Sequence, residues 1–170
     1  MKAWAMACLA IVMVCMLAAG CGDNVEPTFK NRRGQTLRYG MGVEEVEAIL
    51  GEPEGERYSF TEYDGVQVGY RDGVAVYYWF RTDEWGTNKG VSTGDDIAAA
   101  AKAYGFEGFD ELYGFDIYYR DDFKDVKYGD STQRVSIFDC DFSLSFSSRR
   151  DSDVVDYIMY GDRKYLVEQR

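Results

Sequence analysis

The sequence contains no histidine, only two prolines and four cysteines among its 170 residues. The absence of histidine excludes imidazole metal sites, Ser-His-Asp triads and the side chain that most often serves as a general base. Scarce proline, together with 16% aromatic residues, favours extended strands. Three of the cysteines lie within the first 21 positions, and we expect the fourth, Cys140, to be a buried and inert thiol.

Basic residues are also scarce, since 19 Lys and Arg stand against 30 Asp and Glu, for a formal net charge of −11. An acidic surface repels nucleic acid backbones and anionic lipids, so nucleic acid is excluded as a partner. The sequence has no phosphate-binding loop, dinucleotide fingerprint or G-x-S-x-G nucleophile motif. We therefore expect no cofactor and no catalytic residue.

Acidic clusters occur in the C-terminal half, and clustered oxygen ligands can hold calcium. These clusters are Asp121, Asp122 and Asp125; Asp139 and Asp141; and Asp151, Asp153 and Asp156. None has the spacing, central glycine and terminal glutamate of an EF-hand loop. We interpret them as solvated surface and predict no metal site. A pair of carboxylates that hydrolyses a glycan remains the alternative.

Residues 1–20 form a long apolar run in which Lys2 is the single charge. A short basic start, an apolar middle and small residues at the end are typical of a signal peptide. The end of this run, Ala-Ala-Gly before Cys21, resembles the lipobox of bacterial lipoproteins, although Ala18 stands where that motif usually has leucine. We predict cleavage before Cys21, a palmitate-bearing lipid anchor on it, and a polar tether over residues 21–36. An ordinary cleaved signal or an uncleaved membrane anchor is the alternative.

Two segments bracketed by glycines predict two helices. Residues 40–51 place valine, isoleucine and leucine at helical spacing, and residues 94–105 repeat the arrangement with a run of alanines. We predict helices over Val43–Leu50 and 97–104, and strand-like segments follow each of them. The repetition predicts an α+β fold of two tandem helix-plus-antiparallel-sheet units. The first is a helix-plus-three-strand unit over residues 37–89, and the second occupies residues 90–170.

Residues 57–81 alternate apolar and polar side chains in three segments, which Asp64-Gly65 and Asp72-Gly73 divide as hairpin turns. Three-residue loops would pair residue 62 with 66 and residue 70 with 74. The apolar side chains would then share one face, against which the first helix packs. That face would comprise Tyr58, Phe60, Val66, Val68, Tyr70, Val74, Val76, Tyr78 and Phe80. We predict this register, with Gln67 and Arg71 on the opposite face.

Further strands are predicted over residues 115–120 and 135–147, the latter with a bulge near Ile137 and Phe138, where the alternation changes phase. Residues 154–160 and 165–167 are predicted to form a last hairpin around Gly161 and Asp162.

Two aromatic residues, Tyr77 and Trp79, fall on the face that the first helix leaves uncovered. If the second unit packs there, both are core residues. If the face is open, aromatic residues beside arginines are typical of protein interfaces. We predict a binding site for an acidic or glycan-bearing partner. Its residues are Tyr77, Trp79, Arg57, Arg71 and Arg81.

The segment LRYGMGVEEVEAILGEP, residues 37–53, resembles the opening motif of small envelope lipoproteins of the BamE (SmpA/OmlA) type. Gly42 stands where that motif commonly has a Ser or Thr helix cap. The tandem arrangement looks like the β-lactamase-inhibitor protein fold. In both families the unit binds proteins rather than turning over a substrate, and the resemblance implies the same here.

These patterns together predict a lipid-anchored, extracytoplasmic protein at the cell membrane or outer membrane. We expect it to act without catalysis, as a protein-binding or envelope-assembly module. Its rivals are a carboxylate-based envelope enzyme acting on glycan and a purely structural envelope protein.

Overall fold

The computed structural model describes residues 26–106, 114–119, 125–127, 140–149 and 152–168. These ranges contain eleven strands and three short helices. The strands are β1 Phe29–Asn31, β2 Thr36–Leu37, β3 Gly55–Arg57, β4 Phe60–Tyr63, β5 Val66–Arg71, β6 Val74–Phe80, β7 Trp85–Thr87, β8 Gly114–Tyr119, β9 Asp125–Lys127, β10 Phe142–Ser147 and β11 Tyr157–Asp162. The helices are α1 Val43–Leu50, α2 Ile97–Ala103 and α3 Arg163–Glu168.

The strands of both halves of the chain form one large antiparallel sheet. Its order is β3-β4-β5-β6-β11-β10-β8-β9, and β6 pairs with β11 so that Tyr78 lies opposite Tyr160. A second, three-stranded sheet has the order β2-β1-β7. The prediction of an α+β fold with two tandem helix-plus-sheet units is therefore wrong. The protein is mainly β, and its small helices pack against a sheet that both halves share.

The inner face of the large sheet packs against the small sheet, α1 and α2. Phe29 of β1 stacks on Phe80 with ring centroids 4.3 Å apart, and Tyr104 lies 5.0 Å from Phe146. Burial of such large aromatic side chains supplies most of the apolar area removed from water. Phe29 is 0% exposed, although it lies in residues 21–36, for which the sequence predicts a polar tether. The folded part of the chain thus begins before residue 37.

The two helix predictions are confirmed, and local hydrogen bonds explain where the helices begin. The Glu45 carboxylate accepts from the backbone N–H of Gly42 at 2.8 Å at the start of α1. Asp96 caps α2, because its carboxylate accepts from the backbone N–H of Ala99 at 2.7 Å. Each contact satisfies a donor or favours the positive end of the helix dipole.

The predicted loop lengths between β4, β5 and β6 are wrong. Tyr63 pairs with Val66 and Arg71 pairs with Val74, so both loops have two residues. The second loop places Asp72 and Gly73 at φ 51° and 79°, which suits a two-residue hairpin turn.

A β-bulge lies next to Gly69, because Tyr70 pairs with Ala75 but Val68 pairs with Tyr78, so that one residue of β6 is skipped. After the bulge, the side chains of β6 return to the faces that the sequence predicts. Val66, Val68, Tyr78 and Phe80 consequently share the inner face, as predicted.

Val74, which pairs with Arg71 and is 37% exposed, and three further residues depart from the predicted faces. Val76 and Phe60 pack on the outer face of the sheet, in a cluster with Tyr77 and Tyr165. Tyr58 lies in a two-residue turn with φ 51° and is 81% exposed, so it belongs to neither face. Gln67 lies on the outer face, as predicted, but it is buried rather than surface-exposed.

The predicted last hairpin is also wrong, since the chain after β11 turns into α3. Asp162 accepts from the backbone N–H of Lys164 at 2.7 Å and thereby starts the helix. Strand β8 agrees with the segment predicted over residues 115–120, and β10 with the end of the one predicted over 135–147. The predicted bulge near residues 137 and 138 lies outside the described residues.

Candidate functional site

The outer face of the large sheet carries a group of partly exposed side chains on and beside its two central strands, β6 and β11. We call it the tryptophan patch and define it as Trp79, Arg81, Tyr157 and Met159. The Trp79 ring lies 5.7 Å from that of Tyr157, and the Arg81 guanidinium carbon lies 4.3 Å from the Trp79 ring centroid. Arg81 is exposed and forms no ion pair with any residue in the described part of the chain.

Strand register brings the tryptophan patch together. Trp79 lies directly opposite Met159 on β11, and Met159 lies opposite Ser145 on β10. Side chains alternate along each strand, so Trp79 and Arg81 project from the same face of the sheet.

The helix α3 covers the neighbouring part of the outer face. Its Tyr165 is 3% exposed and packs against Tyr77 and Phe60, with ring centroids 6.2 and 5.7 Å away. The Tyr165 hydroxyl donates to the backbone carbonyl of Ser59 at 2.7 Å. Burial raises the pKa of Tyr77 well above its ordinary value, so this phenol remains neutral. Tyr77, predicted as a binding residue, is therefore a packing residue beneath α3.

Arg71 is also predicted as a binding residue, and it fastens α3 to the sheet. Its guanidinium lies 2.5 Å from an Asp162 carboxylate oxygen and 2.9 Å from a Glu168 oxygen. These hydrogen bonds, chiefly the one to Asp162, raise the pKa of Arg71 further, so it is permanently charged. Both acceptors belong to the α3 region, which leaves Arg71 committed to holding the helix.

Arg57 lies apart from the tryptophan patch. It ends the edge strand β3, and its guanidinium carbon stacks 5.4 Å from the ring centroid of its neighbour Tyr58. Three strand spacings, roughly 14 Å, separate β3 from β6. Of the five predicted binding residues, the structure brings Trp79 and Arg81 into contact. Tyr77 lies in the buried cluster against which Trp79 packs, and Arg71 and Arg57 are engaged elsewhere.

Two residues of the tryptophan patch, Tyr157 and Met159, were missed by sequence reasoning. Their segment was correctly predicted as a strand, but its partner was taken to be the chain after Gly161 and Asp162. The pairing of β11 with β6 joins residues about 80 positions apart, for which a single sequence carries no signal.

A polar groove of about 550 Å³ lies at the end of β1 and β7 and includes three carboxylates, Asp83, Glu84 and Asp95. Two of these are engaged: Asp83 pairs with Arg32 at 2.7 Å, and Asp95 accepts from the backbone N–H of Ser92 at 2.7 Å. These two contacts stabilise the loops that line the groove.

The described residues hold no cluster of three or more metal-ligating side chains. Four of the eight residues in the acidic clusters considered for calcium lie outside the described ranges, namely Asp121, Asp122, Asp139 and Asp151. Asp156 is described, and it accepts from the backbone N–H of Arg149 at 2.5 Å. Cys140 is buried at 6% exposure, as expected of an inert thiol.

No protein-family model, curated protein or solved structure matches the chain significantly. The resemblance to BamE-type lipoproteins thus rests on the motif at residues 37–53. Within the described ranges, no helix combines the length and apolar character needed to cross a bilayer. The predicted leader, residues 1–20, and Cys21 lie outside those ranges.

Proposed function

We propose that this protein is a lipid-anchored, extracytoplasmic binding module that takes an acidic segment of a partner protein on the tryptophan patch. The observation that carries the proposal is the stacking of Arg81, which is exposed, on the ring of Trp79, 4.3 Å from the ring centroid. Tryptophan and arginine contribute most of the binding energy at many protein interfaces.

Arg81 differs from Arg71 in the hydrogen-bond donors that it leaves without a partner among the described residues. The Arg71 guanidinium is bound by two carboxylates, whereas Arg81 contacts the Trp79 ring through one flat face. The N–H donors at the edge of the guanidinium plane remain available for a carboxylate in a two-point hydrogen-bonded geometry. A partner that offers Asp or Glu next to an apolar side chain would satisfy both Arg81 and Met159.

The location in this proposal, at the outer surface of a membrane, follows from the predicted lipoprotein leader. The Ala-Ala-Gly-Cys sequence at residues 18–21 supports lipidation of Cys21 and retention at the outer surface of a membrane. A lipidated binding module needs no catalytic group. The rival glycan-hydrolysing enzyme gains no support from the polar groove, since two of its three carboxylates already have structural partners.

Site-specific photo-crosslinking in the native envelope tests the proposal. A photoreactive phenylalanine analogue replaces Tyr157 in the tryptophan patch, and in a matched control it replaces Tyr58, which is 81% exposed on the remote hairpin. We expect a discrete product from position 157 only, with an acid-rich partner peptide at the crosslink.

Charge reversal provides the second comparison. Arg81→Glu should reduce the product about tenfold or more, since losing a charge-assisted contact at an interface commonly costs over 1.4 kcal/mol. Arg57→Glu makes the same charge change outside the patch and should leave the yield unchanged. Equal yields from positions 157 and 58, equal losses in the two variants, or a crosslinked peptide without acidic residues would overturn the proposal.

A further inference from the structure

We infer that the polar groove at the end of β1 and β7 binds a neutral saccharide. The groove has a volume of about 550 Å³, which lies within the range of roughly 300–1,000 Å³ that is usual for small-molecule sites. No residue of the tryptophan patch lines it. Saccharide binding at this groove is therefore separate from the protein-binding function proposed above.

The lining of the polar groove is hydrophilic throughout. Every described residue that lines it is charged, is a neutral polar residue or is a glycine, and none of them has an aliphatic or aromatic side chain. Sites for drug-like molecules are instead lined mainly by apolar side chains, with a few polar groups among them. The polar groove therefore suits a ligand whose surface consists mostly of hydrogen-bonding groups.

The charges of the lining favour a neutral ligand over an anion or a metal ion. Three carboxylates stand against two cations, and Arg32 pairs with Asp83 at 2.7 Å. Lys30 and Glu84 are exposed, and neither forms an ion pair with any described residue. The lining thus has no surplus of positive charge for an anion, and the described ranges contain no cluster of three or more metal-ligating side chains. Sugar hydroxyls both donate and accept, so they suit a donor such as Lys30 and an acceptor such as Glu84.

Thr93 gives the strongest indication of a ligand in the polar groove. It lines the groove and is only 6% exposed, yet its hydroxyl forms no hydrogen bond with any residue in the described ranges. This hydroxyl is not one of the fully buried polar atoms that lack a partner, so it keeps access to the solvent in the groove. Because nearly buried polar groups are normally hydrogen-bonded, water or a ligand hydroxyl is the expected partner of Thr93.

Backbone hydrogen bonds fix the loop of residues 90–95, which forms one wall of the polar groove. The Gly94 N–H donates to the Val155 carbonyl at 2.7 Å, and the Val155 N–H donates to the Asp95 carbonyl at 2.8 Å. Within the loop, the Ser92 N–H donates to the Asp95 carboxylate at 2.7 Å. A ligand does not have to order this wall, which lowers the entropic cost of binding.

Isothermal titration calorimetry of the full chain with neutral trisaccharides tests saccharide binding. The probes are trisaccharides of glucose, galactose, mannose or N-acetylglucosamine, each compared with a counterpart of the same length that contains a uronic acid. We expect at least one neutral trisaccharide to bind. Its acidic counterpart should bind about threefold more weakly or worse, because the carboxylates of the groove and the net charge of −11 repel it.

Thr93→Val removes the hydroxyl and nearly preserves the shape of the side chain. It should weaken trisaccharide binding about three- to tenfold, as loss of a hydrogen bond does. The free energy of unfolding should stay nearly unchanged, since the hydroxyl has no partner among the described residues. Thr61→Val makes the same chemical change at a half-buried position of β4 outside the groove and should leave the affinity unchanged.

Glu84→Ala is a second variant, at an exposed position where the substitution does not endanger folding. It should also weaken binding about three- to tenfold, because the carboxylate accepts from sugar hydroxyls. Saccharide binding would be overturned if no neutral trisaccharide bound, if the acidic counterparts bound equally well, or if Thr93→Val and Glu84→Ala both kept the natural affinity. New reducing ends after incubation would identify a glycan-cleaving enzyme and would overturn a role in binding alone.

The same hydroxyl chemistry is present in cell-wall glycan and in free oligosaccharides, and sedimentation distinguishes these sources. If the natural chain, but not Thr93→Val, sediments with insoluble cell-wall glycan, the source is the envelope. Binding of the free trisaccharides alone identifies a soluble source. Photo-crosslinking at position 157 separates both results from the proposed protein-binding function, because Thr93→Val should leave that product unchanged and Arg81→Glu should leave trisaccharide affinity unchanged.

Discussion

Tyr165 packs its ring onto Gly69, in the space that a side-chain Cβ at position 69 would occupy. The helix α3 therefore lies on the sheet only because β5 carries no side chain at this point. Gly69→Ala should lower the free energy of unfolding by about 1–3 kcal/mol, as overpacking of a close contact commonly does. Urea denaturation measures the change.

Gly55→Ala provides the matched control for this variant. Gly55 lies in the edge strand β3, where an added Cβ meets no atom within 4 Å. Alanine there should be neutral or slightly stabilising, since it restricts the unfolded chain. If the two variants were equally stable, Tyr165 would not be seated as described.

Tyr77→Ala and Trp79→Ala should lower the free energy of unfolding by different amounts. Tyr77 is 3% exposed between Phe60 and Tyr165, so Tyr77→Ala should cost about 3–5 kcal/mol, as loss of a buried aromatic ring does.

Trp79 is half-buried, and its indole N–H is buried with no hydrogen-bond partner in the described part of the chain. Trp79→Ala should therefore cost only roughly 1–2 kcal/mol, since removal of an unsatisfied donor offsets part of the lost contact. The photo-crosslinked product should nevertheless disappear. A stability loss as large as that of Tyr77→Ala would identify Trp79 as core and remove it from the proposed site.

A substitution at Gln67 tests whether this residue of the outer face is buried, as the structure shows, rather than at the surface. Its side-chain amide is 5% exposed and donates to the Glu62 carboxylate. Gln67→Ala should cost about 1–3 kcal/mol, because it removes a charge-assisted hydrogen bond and packed side-chain atoms. Glu84→Ala alters an exposed residue and should change stability by less than about 0.5 kcal/mol. Equal, small effects would mean that Gln67 lies at the surface after all.

Glu26 should make stability depend on pH. Burial raises the pKa of its carboxyl above the ordinary glutamate value, although Arg38 and the Tyr39 N–H oppose the shift. The folded state thus favours the protonated form, so this stabilisation is complete below the unfolded pKa and is lost as the pH rises through the folded pKa.

Glu26→Gln keeps a hydrogen-bond acceptor but has no charge to desolvate. It should be more stable than the natural protein at pH 7, and the difference should disappear near pH 4, close to the ordinary glutamate pKa of about 4.3. Thermal unfolding at the two pH values measures this, with the exposed Glu84→Gln as control. A difference independent of pH would show that the effect is not titration of Glu26.

Local chemistry determined the parts of the structure that the sequence predicts well. The helices at Val43–Leu50 and Ile97–Ala103 are bounded by short-range signals, which include the caps Glu45 and Asp96 and the glycines that follow. The alternating segments became strands because side-chain periodicity is a local property of the backbone. For the same reason, Trp79 and Arg81 could be assigned to one face of β6 before any partner strand was known.

Tertiary structure decided how those elements combine. The two-residue Asp-Gly loops and the bulge near Gly69 each shift the pairing of β4, β5 and β6 by one residue. The sequence pattern permits several such registers about equally, and the apolar area that the whole sheet buries determines which one forms. The pairing of β6 with β11 merges the two halves and brings Tyr157 and Met159 beside Trp79. The helix α3 then covers Tyr77 and binds Arg71, whereas Arg81 stacks on the half-buried indole of Trp79. These contacts join residues far apart in the chain, and their free energy comes from burial that exists only once the whole sheet has formed.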